Sequence, residues 1–217
     1  WEGGGVEADR AVAEYTAADD AVLDNHIIGQ DLATNAAHVR MLAACGYLAE
    51  SERDAILGEL ATIRELWRQG RFVIQPEDED VHTRIETTVT AAIGEPGRRI
   101  HTGRSRNDQV LTDMRLFLRQ NLAGLAVDAL DLAGAFDAWA RRYSDLAMPG
   151  YTHMQRAMPS SVGLWAGAFA EALTDDAAQL LAQYRAADAC PLGSGAGYGV
   201  ILGIDREMAA GLLGFSR

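Results

Sequence analysis

Lysine is absent from this chain: all 19 basic residues are arginine, set against 31 acidic residues for a formal net charge of −12. The absence excludes a catalytic lysine within these 217 residues. A sequence pI near 4.8 also argues against general nucleic-acid binding, which needs a basic face. Cysteine is scarce. Cys45 and Cys190 stand far apart, with neither CxxC nor metal-ligand spacing, so they read as free thiols in a reducing compartment and no metal site is expected. No apolar run approaches the ~20 residues of a membrane span and no signal peptide is visible, so the expected location is cytoplasmic, with no membrane partner. Strand signals are equally sparse, and "RFVIQP" (Arg71 to Pro76) is the best short strand candidate.

What fills the chain is helical periodicity. With 48% hydrophobic residues it can bury a substantial core. Leu32, Ala36, Val39, Leu42 and Ala43 recur at helical spacing, with Gly46 as the stop. Ser51 reads as the N-cap of a second helix through Ile56, Leu60, Ile63 and Trp67, ended by Gly70. The stretch "EDEDVHTRIETTVTAAIGEPG" opens on acids, where a helix dipole favours them, and closes on Gly94 and Pro96. After residue 100 the character changes. From Asn107 to about Tyr143 no proline interrupts, and Leu111, Leu118, Leu125, Leu132 and Trp139 keep near-heptad spacing that breaks at Arg115. A helix of ~37 residues at ~1.5 Å each is roughly 55 Å long, a length that implies a bundle packing between subunits. The segment "MPGYTHMQRAMPSS" reads as a turn punctuated by Pro149-Gly150, and a second long helix starts near Ser160. The expected fold is all-α: a small helical N-terminal domain over residues 1–100, then the start of a long-helix bundle over 101–217.

Three polar islands interrupt this pattern. "HTGRSRNDQV" (His101 to Val110) concentrates Arg104, Arg106, Ser105 and Asn107 at the mouth of the long helix, where unpaired N–H groups favour an anion. The arginines can grip carboxylates bidentately, or they can pair with local acids such as Asp108. In "GYTHMQ", His153 follows Thr152 between two long helices, in a setting suited to proton transfer, although a lone histidine is more often structural. In "EDVHTRIE", His82 and Glu86 lie one turn apart; no second histidine makes an HExxH zinc motif, and an ordinary i,i+4 surface pair is the favoured reading. The glycines of "GSGAGYG" have the wrong spacing for a dinucleotide fingerprint and no preceding strand, which leaves flexibility or tight packing and no nucleotide cofactor.

Together "HTGRSRNDQVLTDMR", "EDVHTRIE", "PGYTHMQRAMPSS" and "PLGSGAG…IDRE…LGF" resemble the argininosuccinate lyases of the fumarase/aspartase superfamily, over essentially the whole chain. "GRSRNDQ" is specific to those lyases, whereas the Thr-His pair is shared across the superfamily. The resemblance implies a homotetramer whose merged bundles form active sites from three subunits. It also implies a reversible, cofactor-free β-elimination of argininosuccinate to arginine and fumarate. By matching position, Ser105, Arg106 and Asn107 bind the substrate and Thr152 contacts it from a neighbouring subunit. His153 matches the histidine assigned to proton transfer, Asp24 an aspartate near the arginine-like end, and His82 a pocket-lining histidine.

Departures from the pattern are Asp20, where many relatives carry a substrate-contacting serine, Tyr198 and Val200 in the "GALAG" region, and "WEGGG" for the usual "WGGRF". The family's Ser-rich loop, with its proposed base and a substrate-binding lysine, falls beyond Arg217, so residues 1–217 alone are expected to be inactive. The competing readings are another superfamily lyase, such as adenylosuccinate lyase or fumarase, and a non-catalytic structural relative of the δ-crystallin kind.

Overall fold

Ile28, Leu32, Val39 and Leu42 are almost completely buried, as their helical spacing requires of one face of a helix. They belong to α1 (Ile28–Ala44), which packs against α2 (Glu50–Arg68) through Ile56, Leu60 and Ile63. Val81, Ile85 and Val89 of α3 (Val81–Ile93) close the same core. The structure is a computed structural model and describes Tyr15, residues 19–75 and residues 78–217. The departures at Asp20's side chain and in "WEGGG" lie outside what is described. After single helical turns at Asp20–Leu23 and Glu95–Arg98 come α4 (Arg106–Arg142), α5 (Val162–Ala187) and α6 (Arg206–Leu212).

The described residues divide into two compact units. The first comprises the chain up to Phe117 together with Ala189–Arg217. Its core, built by α1 to α3, also takes in Ile100, Leu192 and Ala209. Arg115 departs from the heptad rhythm because its guanidinium serves this unit, donating to the Ala189 carbonyl at 2.6 Å. The second unit is Leu118–Asp188, comprising the rest of α4, a hairpin and α5. There Phe136 stacks on Phe169 with ring centroids 5.3 Å apart and meets Trp165 edge-on. The all-α class holds, with one small sheet added.

Three local expectations need correction. "RFVIQP" forms no strand over residues 71–75. Phe72 and Ile74 do alternate into the core, but among the described residues no strand pairs with them, and the Ile74 amide donates to Asn25 Oδ1 instead. Ser51 is not the N-cap: the helix begins at Glu50 after an extended Ala49, whose amide donates to Glu52 Oε2 at 2.9 Å. "MPGYTHMQRAMPSS" is an antiparallel hairpin, not a bare turn. Its strands are β1 (Ala147–Thr152) and β2 (Gln155–Ser161). Pro149 opposite Pro159 is tolerated because a two-stranded ribbon is all edge, so neither missing N–H robs a neighbouring strand. Ser161 then caps α5 by accepting from the Leu164 amide.

The hairpin turns on two residues, His153 and Met154, both with positive φ (50° and 63°). A two-residue hairpin loop needs such dihedrals, and they are normally supplied by Asn-Gly. Met154 is 97% exposed, so its side chain gains nothing from packing to offset the strain. Replacing it by glycine should therefore stabilise the second unit by up to about 1 kcal/mol, read as a higher urea midpoint at unchanged slope. A lower midpoint would mean that Met154 contributes something the turn geometry does not reveal.

Candidate active site

α1 carries a second face made of Asp31, Thr34, Asn35 and His38, spaced like an apolar stripe yet polar and buried. The start of α4 answers with Asp108, Gln109, Thr112 and Asp113, each at most 1% exposed. Arg104 and His82 complete a polar layer shut off from solvent. Dry polar groups must be paired, and most of these are. Asp31 accepts from His82 Nδ1 (2.8 Å), from the Gln109 amide and from Asn35 Nδ2 (2.8 Å). Asn35 Oδ1 accepts from Arg104 at 2.7 Å, and Asp113 accepts from the Thr34 hydroxyl.

The same geometry sets the charges. Burial works against ionisation of Asp31, but the adjacent His82 and Arg104 charges outweigh it and hold the carboxyl below its usual range. Burial and the Asp31 charge push Asp113 well above that range. His82 is raised: burial pulls it down, but Asp31 more than compensates. His38 has no such partner. Burial and the Arg104 charge bring it down to about 3, so its neutral ring donates from Nε2 to the Thr102 carbonyl. Burial with Arg104 and Arg106 lowers His101 to about 4.

On this layer stands the mouth of α4. Asp108 accepts from the Ser105 amide and, through its other oxygen, from the amides of Gly193 (3.0 Å) and Gly195 (2.7 Å). Both glycines have positive φ, and a Cβ on Gly195 would come within 2.6 Å of Val200. "GSGAG" is therefore a tightly fitted loop strapped to the start of α4.

The sequence-derived site residues separate into two groups. Asp24, His82, Ser105, Arg106 and Asn107 are in the first unit. Asp24 accepts from the Val81 amide at the start of α3. Arg106 reaches back to that helix end, bonding Asp80 (2.6 Å) and the Thr83 hydroxyl (3.1 Å) and pairing with Glu79 (3.1 Å). Its guanidinium is thus held by acids of its own chain, although not by Asp108, and 39% of the side chain is exposed. Ser105 Oγ accepts from the Asn107 amide, and Asn107 faces solvent. Thr152 and His153 are exposed residues of the hairpin in the second unit.

Two readings change. Arg104 is no surface anion grip: it is 8% exposed and spent inside the polar layer. His82 is no surface partner of Glu86, because it shares the inward face of α3 with Val81 and Ile85 and bonds Asp31. The sequence reading missed Asp31, Gln109 and Asp113 altogether, and missed Asp80 as the partner of Arg106.

Comparison with known proteins agrees in family. A family described as "Lyase" matches residues 4–216. The argininosuccinate lyase of Sorangium cellulosum is 45% identical over 216 residues, 100% of this chain and 50% of that protein. Those of Stenotrophomonas maltophilia and Thermotoga neapolitana are 42% and 41% identical over 217 residues, which cover 50% and 54% of their lengths. The chain thus spans about half the length of the curated relatives it matches. Among solved structures, an EDDS lyase variant with bound fumarate superposes with a TM-score of 0.80 at 28% identity, over 98% of this chain and 42% of that one. A fumarate lyase:delta crystallin from Brucella melitensis shares the fold, with a TM-score of 0.73 at 19% identity over 96% of this chain and 51% of that one.

The low histidines make a prediction about acid. An unfolded chain takes up protons at His38 and His101 near the ordinary 6.5, whereas the folded chain refuses them until about 3 and about 4. Their contribution to stability is full above pH 6.5 and is lost as pH falls toward those values. His38→Gln keeps a donor for Thr102 and removes one titration. Its stability should fall by about one proton's worth less per pH unit than the parent's between pH 6 and pH 4. Parallel profiles from urea denaturation would mean that His38 is charged in the folded protein.

Proposed function

Since the chain belongs to the lyase family of the fumarase/aspartase superfamily, we propose that it supplies part of an argininosuccinate lyase, which cleaves argininosuccinate reversibly to arginine and fumarate. The observation that carries this reading is the conjunction of "GRSRNDQ" at the first turn of a 37-residue helix with 45% identity to an argininosuccinate lyase across the whole chain.

Removing a proton from the carbon beside a carboxylate builds a doubly charged aci-carboxylate. Fixed donors aimed at that charge lower the barrier more than donors that must reorganise. Ser105, Arg106 and Asn107 offer such donors: a hydroxyl, a guanidinium and an amide on the end of a rigid helix. Asp80, Thr83 and Glu79 keep the Arg106 fork aimed while no substrate is present. A substrate carboxylate then replaces the exposed Glu79 as its partner. Elimination next breaks the C–N bond, and the bonding electrons leave with a guanidinium nitrogen that needs little acid help because the group is already cationic. His153 assists proton transfer, with Thr152 beside it touching the substrate. Strain at the hairpin tip supports a working role, since non-glycine residues are rarely kept at positive φ without a reason. Asp24 borders the arginine-like end, and His82 acts from beneath through Asp31.

Assembly follows from the same frame. Leu118, Leu125, Leu132 and Trp139 recur every seven residues along α4, and each is about half exposed. A heptad stripe left uncovered calls for partner helices. We read it as the core of a homotetramer in which different copies contribute the α4 mouth and the His153 hairpin. No helix among the described residues is long and apolar enough to cross a membrane, which fits an enzyme of the cytoplasm.

The test is fumarate release from argininosuccinate by the full protein. His153→Asn should reduce kcat by about 10²–10⁴-fold. Arg106→Lys, which loses the bidentate fork, should reduce kcat/KM by about 10²-fold. Adenylosuccinate should not be cleaved. A protein that binds argininosuccinate without turnover would instead be a structural relative, and variants as active as the parent would remove both residues from the site.

A further inference from the structure

Two side-chain oxygens of the polar layer lack a geometric hydrogen-bond partner. Asp113 Oδ2 and Gln109 Oε1 are buried without a hydrogen-bond partner, in side chains 0% and 1% exposed. Asp113 belongs to a tight group, in which one ligand atom each from Asp31, His82 and Asp113 lies within 4.8 Å of the others. His82 Nδ1 is 2.8 Å from Asp31 Oδ1 and 3.7 Å from Asp113 Oδ2. Those distances bracket the ~3.4 Å between ligands of a tetrahedral ion with bonds of about 2.1 Å. Gln109 contacts Asp31 Oδ1 through its amide nitrogen. Turned over, the amide offers its orphan oxygen to the same point, where two facing oxygens tolerate each other only with a cation between them.

We propose that Asp31, His82, Asp113 and Gln109 form a buried structural site for one borderline divalent cation of the zinc class. One imidazole, two carboxylates and an amide oxygen make a four-ligand set of the kind zinc accepts. Because all four side chains are at least nine-tenths buried, the site is closed and leaves no position for substrate. Binding the ion displaces the protons of Asp113 and of His82 Nδ1, and the ion and the buried Arg104 then bring three positive charges against the carboxylates of Asp31, Asp108 and Asp113. The ligands come from α1, α3 and α4, so the ion would pin the long helix onto the N-terminal helices. This role is structural, and it is read from metal content and melting temperature without turnover.

The experiment unfolds the full protein in urea with chelator and refolds it with ZnCl2, with MgCl2 or with neither. Metal content and melting temperature are then measured. The expected result is about one zinc per chain, a higher melting temperature with zinc alone, and both features retained in Cys45→Ser/Cys190→Ser. Asp113→Asn should weaken zinc binding by at least about 10-fold. Zinc below one ion per ten chains with an unchanged melting temperature would overturn the proposal. So would binding lost with the two cysteines, or binding undiminished in Asp113→Asn. Should Asp113→Asn fail to fold, the parent's zinc content and melting shift still decide the question.

Discussion

An ionised carboxylate with no access to water must be surrounded by donors, and Asp31 is such a group. Its ring of partners comes from three places in the sequence: Asn35 one turn away, His82 on α3 and Gln109 on α4. Satisfying that one charge fixes how three helices meet. The first turn of α4 is held from below by this ring and from the side by Asp108, which also straps down the Gly193–Gly195 loop. Ser105, Arg106 and Asn107 then project from a foundation that has little freedom to shift.

That rigidity matters for the chemistry we propose. Donors that stabilise a developing charge work best when they are already in position, and Arg106 is kept in position by Asp80 and Thr83. The second unit shows a different device. Its hairpin tip is held in a costly conformation by paired strands, with His153 at the apex. The two devices lie in separate units of the chain.

Much of this was legible in the sequence, for a physical reason. The apolar period of α1 and α2 reports burial directly, and the extent of α4 could be read almost to the residue. The polar layer could not. Asp31, Thr34, Asn35 and His38 recur at helical spacing, and a polar stripe reads as a solvated face unless its partners are known. Those partners are His82, Thr102, Arg104, Gln109 and Asp113, between 51 and 79 residues away. His82 looked like half of a surface pair with Glu86 because spacing does not say which way a helix face turns. The hairpin was hidden by Pro149, Gly150 and Pro159, which are strand breakers everywhere except on a ribbon that is all edge. The mouth of α4 was visible as a cluster of anion-seeking groups, but the acids that hold Arg106 come from the residues just before α3.

The dependence of this architecture on one buried charge is tested most directly by equilibrium urea denaturation of Asp31→Asn. Losing the carboxylate leaves His82 and Arg104 without their counter-charge in a dry interior. The expected loss is about 3–5 kcal/mol, as for other broken buried ion pairs. A loss below about 1 kcal/mol, within the range of an exposed pair, would show that Asp31 is not what joins the three helices.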